Sequence, residues 1–379
     1  MKIGVLTFWD SQDNYGQLLQ CFALQKYLID AGHDVFLIRY KHDNDYDNIY
    51  VKSPLGKRII RLFNPFFFAR AILIRLHNLQ KESENKVRLF DEFRIRFLKT
   101  SDVLYTSYGE LRENPPEADV YIVGSDQVWN PNYTGGQDIK AYKKIVNSYF
   151  LNFGCENTKR ISYAASWGVK SLDDEKKRLI MPLLQKFDYV SVREESGINL
   201  CQQCGYKNAK WVCDPTILLP ANIYRDVYKA SKIKKIEEPY ILLYMLNNQF
   251  EFDVNKIYDF AKKKKLKVVY VTGNGVSDKR KKTFATIPEW LYLVDNATYV
   301  ITNSFHCGVF STIFNKQYGI IPLSGKDKEM NLRFESLFSL YGIDSRFILL
   351  NDFNVLEKKY DSNHIESNFL QELQEICDA

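Results

Sequence analysis

The sequence predicts an α/β protein with two parallel-sheet domains that face each other across a cleft, followed by a helical C-terminal tail. Three observations support this prediction. The chain has 379 residues, enough for two domains with separate cores. Strand-like apolar runs alternate with helical segments along both halves, which is typical of parallel sheets. Polar side chains follow the ends of several of these runs, where parallel sheets bind ligands.

The predicted N-terminal domain, residues 1–225, begins with a strand that ends at Trp9, a helix over 17–28 and a second strand over 33–40. This order predicts two parallel strands joined by a right-handed crossover. No G-x-G-x-x-G follows the first strand, so the sequence lacks a dinucleotide fingerprint. The loop after that strand provides four candidate binding residues, with ordinary turn and cap residues as the alternative: Asn14, Tyr15, Gly16 and Gln17.

The rest of this domain contains two further candidate sites. Asp126 and Trp129 follow the apolar run 120–123, and a carboxylate beside an indole can hold a sugar by ordering its hydroxyls and stacking on its C–H faces. A turn cap and domain packing are the alternative roles. Arg193 lies near the end of a predicted strand over 188–196 and suits bidentate binding of a carboxylate or phosphate. Its alternative is an ion pair with a neighbouring acid. We predict the last strand of the domain over 211–219.

A second alternation follows a lysine-rich linker over 220–238 and predicts a C-terminal domain over 236–350, with a helical tail over 351–379. Its run Tyr299–Asn303 is followed by His306, and apolar residues at helical spacing resume at Val309. A strand, a tight turn and a helix N-terminus are predicted. Helix N-termini bind anions, and an imidazole there can transfer a proton. A structural histidine is the alternative. Arg333, after the final strand, can add positive charge to the cleft.

Composition and charge limit the other functional classes. The net charge is +6, and no nucleic-acid-binding motif accompanies it. The segment 52–81 is basic and amphipathic, so it either lies on an anionic membrane surface or covers a flank of the first domain. The chain has no run of eighteen apolar residues and no N-terminal cleavage site. Seven scattered cysteines indicate reduced thiols. Cys201, Cys204 and Cys213 could supply three zinc ligands, but the sequence has no convincing fourth ligand. We expect a cytoplasmic protein without metal or cofactor, either free or bound peripherally at the inner membrane face.

Five motifs resemble those of the polysaccharide pyruvyl transferases in order and spacing, over residues 1–347. They are Asn14-Tyr15-Gly16 and the segments 123–129, 190–196, 213–216 and 302–306. The resemblance implies a GT-B-type fold with two Rossmann-like domains. It also implies transfer from phosphoenolpyruvate to a sugar, giving a cyclic pyruvate ketal during surface polysaccharide or exopolysaccharide biosynthesis. A GT-B glycosyltransferase using a nucleotide sugar and an inactive glycan-binding scaffold remain the alternatives.

The resemblance also implies roles for individual residues. His306 and Arg193 would handle the donor. Our own hypothesis adds the other residues: Asp126 completes the catalytic set, Ser304, Gly308 and Arg333 assist donor binding, and the residues of the first loop, Asp126 and Trp129 bind the acceptor. The basic segment favours a lipid-linked acceptor. Some family members carry an arginine at the position of Ser304. Serine can hydrogen-bond an anion but cannot neutralise it, so the donor charge must be met elsewhere or the donor differs.

Overall fold

Two parallel sheets organise the computed structural model, which describes residues 1–41, 65–135, 138–276, 278–360 and 369–378. Every strand pair in both sheets is parallel. The first sheet has seven strands in the order β3-β2-β1-β4-β5-β6-β7, and the second has four in the order β11-β10-β8-β9. The predicted α/β class with two parallel sheets is therefore confirmed. The predicted domain boundaries stay a prediction.

The first sheet is built from residues 2–211. Its strands are β1 (Lys2–Leu6), β2 (Asp34–Tyr40), β3 (Thr100–Tyr105), β4 (Val120–Val123), β5 (Lys159–Ala165), β6 (Tyr189–Val192) and β7 (Lys210–Trp211). Its helices are α1 (Tyr15–Asp30), α2 (Pro65–Arg88), α3 (Phe90–Phe97), α4 (Tyr108–Glu113), α5 (Ile139–Tyr149), α6 (Asp174–Leu184) and α7 (Ser196–Gln203).

The strand predicted over 211–219 is wrong beyond Trp211. A 3-10 helix, Pro215–Leu218, follows instead. The Asp214 side chain accepts the backbone N–H of Thr216, and Pro215 has a fixed φ and no N–H for a sheet ladder. Both effects turn the chain away from the sheet. The predicted linker over 220–238 contains the helix α8 (Ala221–Lys229).

The second sheet contains β8 (Tyr240–Asn247), β9 (Lys267–Gly275), β10 (Tyr299–Thr302) and β11 (Tyr318–Ile320). Its helices are α9 (Asn255–Lys264), α10 (Ile287–Asn296), α11 (Phe305–Ile313) and α12 (Leu332–Tyr341). Helix α11 begins four residues before the predicted start. Glycine is a weak helix former, but a Cβ at Gly308 would lie only 3.2 Å from Ile320 and 3.4 Å from Phe334. This close packing leaves little room for a side chain at position 308, and Gly308 stays inside the helix. Because α11 begins at Phe305, His306 lies in its first turn.

The largest apolar cluster contains buried residues of both sheets. Tyr15 of α1 stacks on Trp290 of α10 with ring centroids 5.2 Å apart, and its hydroxyl donates to the Ala285 carbonyl at 2.7 Å. A Cβ at Gly273 would lie 3.2 Å from the Asp13 carboxylate, which follows β1. The carboxyl ends of the two sheets therefore face each other.

The C-terminal end is helical, as predicted. Helix α13 (Phe369–Asp378) packs Phe369 against Tyr163 of the first sheet with centroids 4.3 Å apart. The basic segment 52–81 lies outside the described residues up to position 64 and forms part of α2 thereafter. Within the part of the chain that the structure describes, no helix is both long and apolar enough to span a bilayer.

Candidate functional site

Charged side chains gather where the carboxyl ends of the two sheets meet. Asp126 follows β4, Arg193 follows β6 and Asp214 follows β7, while His306 arrives from α11 of the second sheet. All four side chains are buried. The sequence predicts three of these residues as site residues, and the structure brings the three together.

Arg193 is charged and only partly satisfied by its neighbours. Its Nη1 donates to Asp214 Oδ2 at 2.9 Å and to Ser125 Oγ at 3.2 Å, and its Nε lies 3.7 Å from Glu194 Oε1. Burial alone lowers the pKa of Arg193, but Glu194 and Asp214 outweigh burial and raise it. Arg193 therefore forms the ion pair that was one predicted alternative. It also keeps two buried nitrogens, Nε and Nη2, without a hydrogen-bond partner, which leaves the binding alternative open.

His306 is held between the two domains. Its Nε2 lies 3.5 Å from Asp214 Oδ2 and has no hydrogen-bond partner. The other edge of the ring lies against the start of α1, where a Cβ at Gly16 would fall 2.2 Å from His306 Cγ. Gly16 therefore leaves room for the imidazole, and its predicted role in acceptor binding stays a prediction.

Asp214 lies in the motif segment 213–216, but the sequence assigns it no role in the site. Its Oδ1 accepts from Thr216, and its Oδ2 accepts from Ser125 and Arg193. Burial alone raises the pKa of Asp214, but His306 and Arg193 outweigh burial and hold the pKa well below its usual range. The available sequence signal is the Asp-Pro-Thr order, because aspartate followed by proline favours a turn over a strand.

A second buried guanidinium lies beside the first. The guanidinium of Arg193 is 4.7 Å from the ring centroid of Phe305, and that of Arg333 is 5.5 Å from it. Burial and the charge of Arg193 lower the pKa of Arg333. Two cations on one ring repel each other, so an anion placed between them would be strongly stabilised.

The other predicted donor-binding residues differ in what they can offer. Ser304 caps α11 from an extended conformation, but its hydroxyl makes no capping hydrogen bond. The Gly308 N–H donates to the Ser304 carbonyl at 3.1 Å. This N–H is therefore unavailable to an anion, contrary to the predicted role of Gly308 in donor binding. The N–H groups that a helix leaves unpaired belong to its first turn, here residues 305–307.

Part of the predicted acceptor set lies on the opposite wall of the site. Gln17 Nε2 is 3.4 Å from Asp126 Oδ2, and Asn14 caps α1 by accepting the Gln17 N–H. Asp126 has φ = 80°, a left-handed conformation that aspartate tolerates better than most residues. The turn directs its carboxylate toward the start of α1.

Trp129 and Tyr15 belong to the core. Trp129 is fully buried, stacks on Phe150 with centroids 4.9 Å apart and donates its indole N–H to the Tyr149 carbonyl. Tyr15 is also fully buried, between the two sheets. Neither ring has a free face for a sugar, so neither can take the predicted acceptor role. Trp129 takes its packing alternative, and Tyr15 also packs in the core, whereas its predicted alternative was a turn or cap residue.

The cysteines do not form a ligand set. Cys201 and Cys204 lie in an apolar cluster, where burial raises the pKa of their thiols to about 12 and about 11. Among the described residues there is no group of three His, Cys, Asp or Glu side chains placed to hold a metal ion.

Comparison with known proteins identifies the family. Residues 14–318 match the family model described as polysaccharide pyruvyl transferase. The chain belongs to the polysaccharide pyruvyl transferase family. No match was found among curated protein sequences.

Solved structures similar to this chain include an epimerase and a glucosyltransferase. The UDP-GlcNAc 2-epimerase from Methanocaldococcus jannaschii is 12% identical, with 99% of this chain and 100% of that chain covered and a TM-score of 0.47. An alpha-glucosyltransferase in complex with UDP is 10% identical, with both chains fully covered and a TM-score of 0.46. The likeness concerns the fold alone.

Proposed function

We propose that this pyruvyl transferase takes its pyruvyl group from phosphoenolpyruvate and forms a cyclic ketal with two hydroxyls of a sugar. One observation carries the proposal: Arg193 Nε and Nη2 have no hydrogen-bond partner in a buried site that also contains His306. Leaving such groups without partners costs free energy. A small polyanionic donor would supply the missing acceptors.

The donor would be held by charges from both domains. Arg193 and Arg333, beside the ring of Phe305, would neutralise the carboxylate and the phosphate. The first-turn N–H groups of α11 and the Ser304 hydroxyl would add hydrogen bonds. Arg333 thus offers a substitute for the arginine that some relatives carry at the position of Ser304.

The reaction would begin with proton transfer from the His306 imidazole to C3 of the donor, which makes C2 electrophilic. A sugar hydroxyl would attack C2, and its proton would pass to Asp126. The bond between C2 and the phosphate oxygen would then break, and the phosphate would leave with the Asp126 proton. A neighbouring hydroxyl would close the ring at C2 and return its proton to His306. One donor and one diol give one ketal and one phosphate.

The acceptor would lie on the wall formed by α1 and Asp126. The Asn14 and Gln17 side chains are polar and partly exposed there, and Gln17 is within 3.4 Å of Asp126. An assay with free, nucleotide-linked and lipid-linked sugars would identify the acceptor. Flotation with anionic vesicles would test the predicted membrane contact of segment 52–81.

Phosphate release and consumption of phosphoenolpyruvate by the purified protein test the proposal directly. We expect His306→Ala and Arg193→Ala to lower turnover at least ~100-fold, the usual scale for losing general acid catalysis. His33→Ala and Arg178→Ala, at sites outside the cluster, should keep wild-type turnover. Wild-type turnover in folded His306→Ala protein would refute the assignment.

A thermal-shift comparison separates the alternatives. Phosphoenolpyruvate should raise the melting temperature of the wild type. Stabilisation by a nucleotide sugar alone would favour a glycosyltransferase. Binding of a glycan without consumption of the donor would favour a scaffold.

A further inference from the structure

Asp214 lies at the centre of the site, yet no step of the proposed transfer uses it. Its side chain is fully buried. Thr216 donates its N–H and its hydroxyl to Oδ1 at 3.1 and 2.7 Å. Both bonds come from the turn that Asp214 itself caps, so local sequence fixes the orientation of the carboxylate.

The other oxygen of Asp214 faces three elements. Ser125 Oγ and Arg193 Nη1 each donate to Oδ2 at 2.9 Å, and His306 Nε2 lies 3.5 Å away. Ser125 follows β4, Arg193 follows β6, and His306 belongs to α11 of the second sheet. A single oxygen therefore connects two groups that come from different domains.

We propose that Asp214 is a positioning residue, whose Oδ2 holds Arg193 and His306 at the spacing that the donor requires. This inference rests on the proposed function. The negative charge is essential to the role, because a neutral amide would no longer attract both nitrogens. Oδ1 keeps the N–H bond from Thr216 when the threonine hydroxyl is removed, so loss of that hydroxyl should leave the carboxylate in place.

The two oxygens of Asp214 allow a matched test. We expect Asp214→Asn to lower kcat at least ~100-fold, the scale reported for losing a well-placed catalytic group. Thr216→Val removes a bond to Oδ1 but keeps the charge, so its kcat should stay within about threefold of wild type. Circular dichroism and gel filtration of both full-length variants would establish that they fold. Equal loss of kcat in both variants, or none in Asp214→Asn, would overturn the proposal.

Two further measurements keep the test decisive. With ¹⁵N-labelled histidine, the ring signals of His306, assigned by their loss in His306→Gln, should move in Asp214→Asn and stay in place in Thr216→Val. Unmoved signals in Asp214→Asn contradict a positioning role.

If Asp214→Asn does not fold, Ser125→Ala replaces it. We expect a severalfold fall in kcat for this variant, and an unchanged kcat overturns the proposal. A wild type that does not consume phosphoenolpyruvate refutes the proposed function, while the nuclear magnetic resonance comparison still tests Asp214.

Discussion

Arg193 carries a buried charge that its protein neighbours satisfy along one edge only. Taking an ion out of water costs several kcal/mol unless partners replace the water. Asp214 and Ser125 replace it at Nη1, whereas Nε and Nη2 have no hydrogen-bond partner. These two nitrogens are the ones that we propose to bind the donor, so Arg193 would be both structural and available for binding.

Gly16 offers a direct test of how His306 is placed. We expect Gly16→Ala to lower kcat/KM by about 100-fold, because a misplacement of about 1 Å has effects of that size. The new Cβ would lie 2.2 Å from His306 Cγ, so the imidazole or the helix start must move. Gly109→Ala is the matched control, since its Cβ meets nothing closer than 3.7 Å. Wild-type kinetics in folded Gly16→Ala would contradict the role assigned to this glycine.

The lowered pKa of Asp214 predicts how stability depends on pH. A carboxylate with a lowered pKa in the folded state stabilises the protein above its unfolded pKa of about 3.9, and this stabilisation is lost as the pH falls. At pH 7 we expect Asp214→Asn to cost about 3 kcal/mol of unfolding free energy, the scale for breaking a buried ion pair. The difference from wild type should shrink below about pH 4. Urea unfolding at several pH values measures it, and a constant difference would contradict the prediction.

Residues that follow strand ends are the ones that sequence can predict as site residues. Arg193, Asp126 and His306 all do so, and the structure brings them together. Asp214 does not stand out, because the apolar run after it predicts a continuing strand. Trp129 and Tyr15 also follow strand ends, but a large ring at such a place serves packing as well as binding, and only the tertiary structure decides between them.

At the scale of elements, α11 and α10 begin in different ways. Thr286 and Glu289 form a reciprocal capping box at α10, whereas the Ser304 hydroxyl makes no capping bond at α11. A cap that bonds the backbone contributes about 1 kcal/mol. Because the Ser304 hydroxyl makes no capping hydrogen bond to the helix, it is available to a ligand.

This difference gives a paired prediction. Thr286→Ala should lower the unfolding free energy by about 1 kcal/mol and leave the KM for phosphoenolpyruvate unchanged. Ser304→Ala loses no capping hydrogen bond, so it should lower the unfolding free energy by less than Thr286→Ala does, and it should raise that KM severalfold. Denaturant unfolding and steady-state kinetics measure the two effects. A stability loss in Ser304→Ala that equals that of Thr286→Ala would show that Ser304 acts as a cap.

Element boundaries could be predicted where local signals agree. Helix α10 is predicted over 287–296 and found at Ile287–Asn296, because Thr286 and Pro288 mark its start. Helix α11 begins earlier than predicted, since Gly308 suggests a turn until the contacts with Ile320 and Phe334 are known. Those contacts join residues distant in sequence, and no local pattern contains them.

At the scale of the whole molecule, the two sheets share one apolar core. Trp290 is fully buried and contacts Tyr15, Tyr244 and Phe310. Shared burial couples the stability of the two halves. The alternation of strands and helices predicts both sheets, but the way they dock depends on such distant contacts and could not be predicted.

We therefore expect calorimetry to show one unfolding transition for the whole protein. Trp290→Ala should lower its midpoint, because removing a buried tryptophan costs about 3–5 kcal/mol, and should not split the transition. Met181→Ala, at an exposed apolar residue, is the control and should leave the midpoint almost unchanged. Two separate transitions in the wild type would show that the halves unfold independently.

The contact between Gly16 and the imidazole of His306 has an evolutionary consequence. Consider a recombinant gene that joins the first half of one such protein to the second half of a distant relative. The space beside the glycine and the histidine ring would then come from two proteins in which they had not evolved to fit each other. Both sheets would form, yet the imidazole would lie out of reach of the charged groups that follow the strands of the first sheet. We therefore expect the two halves to be inherited together and to co-evolve.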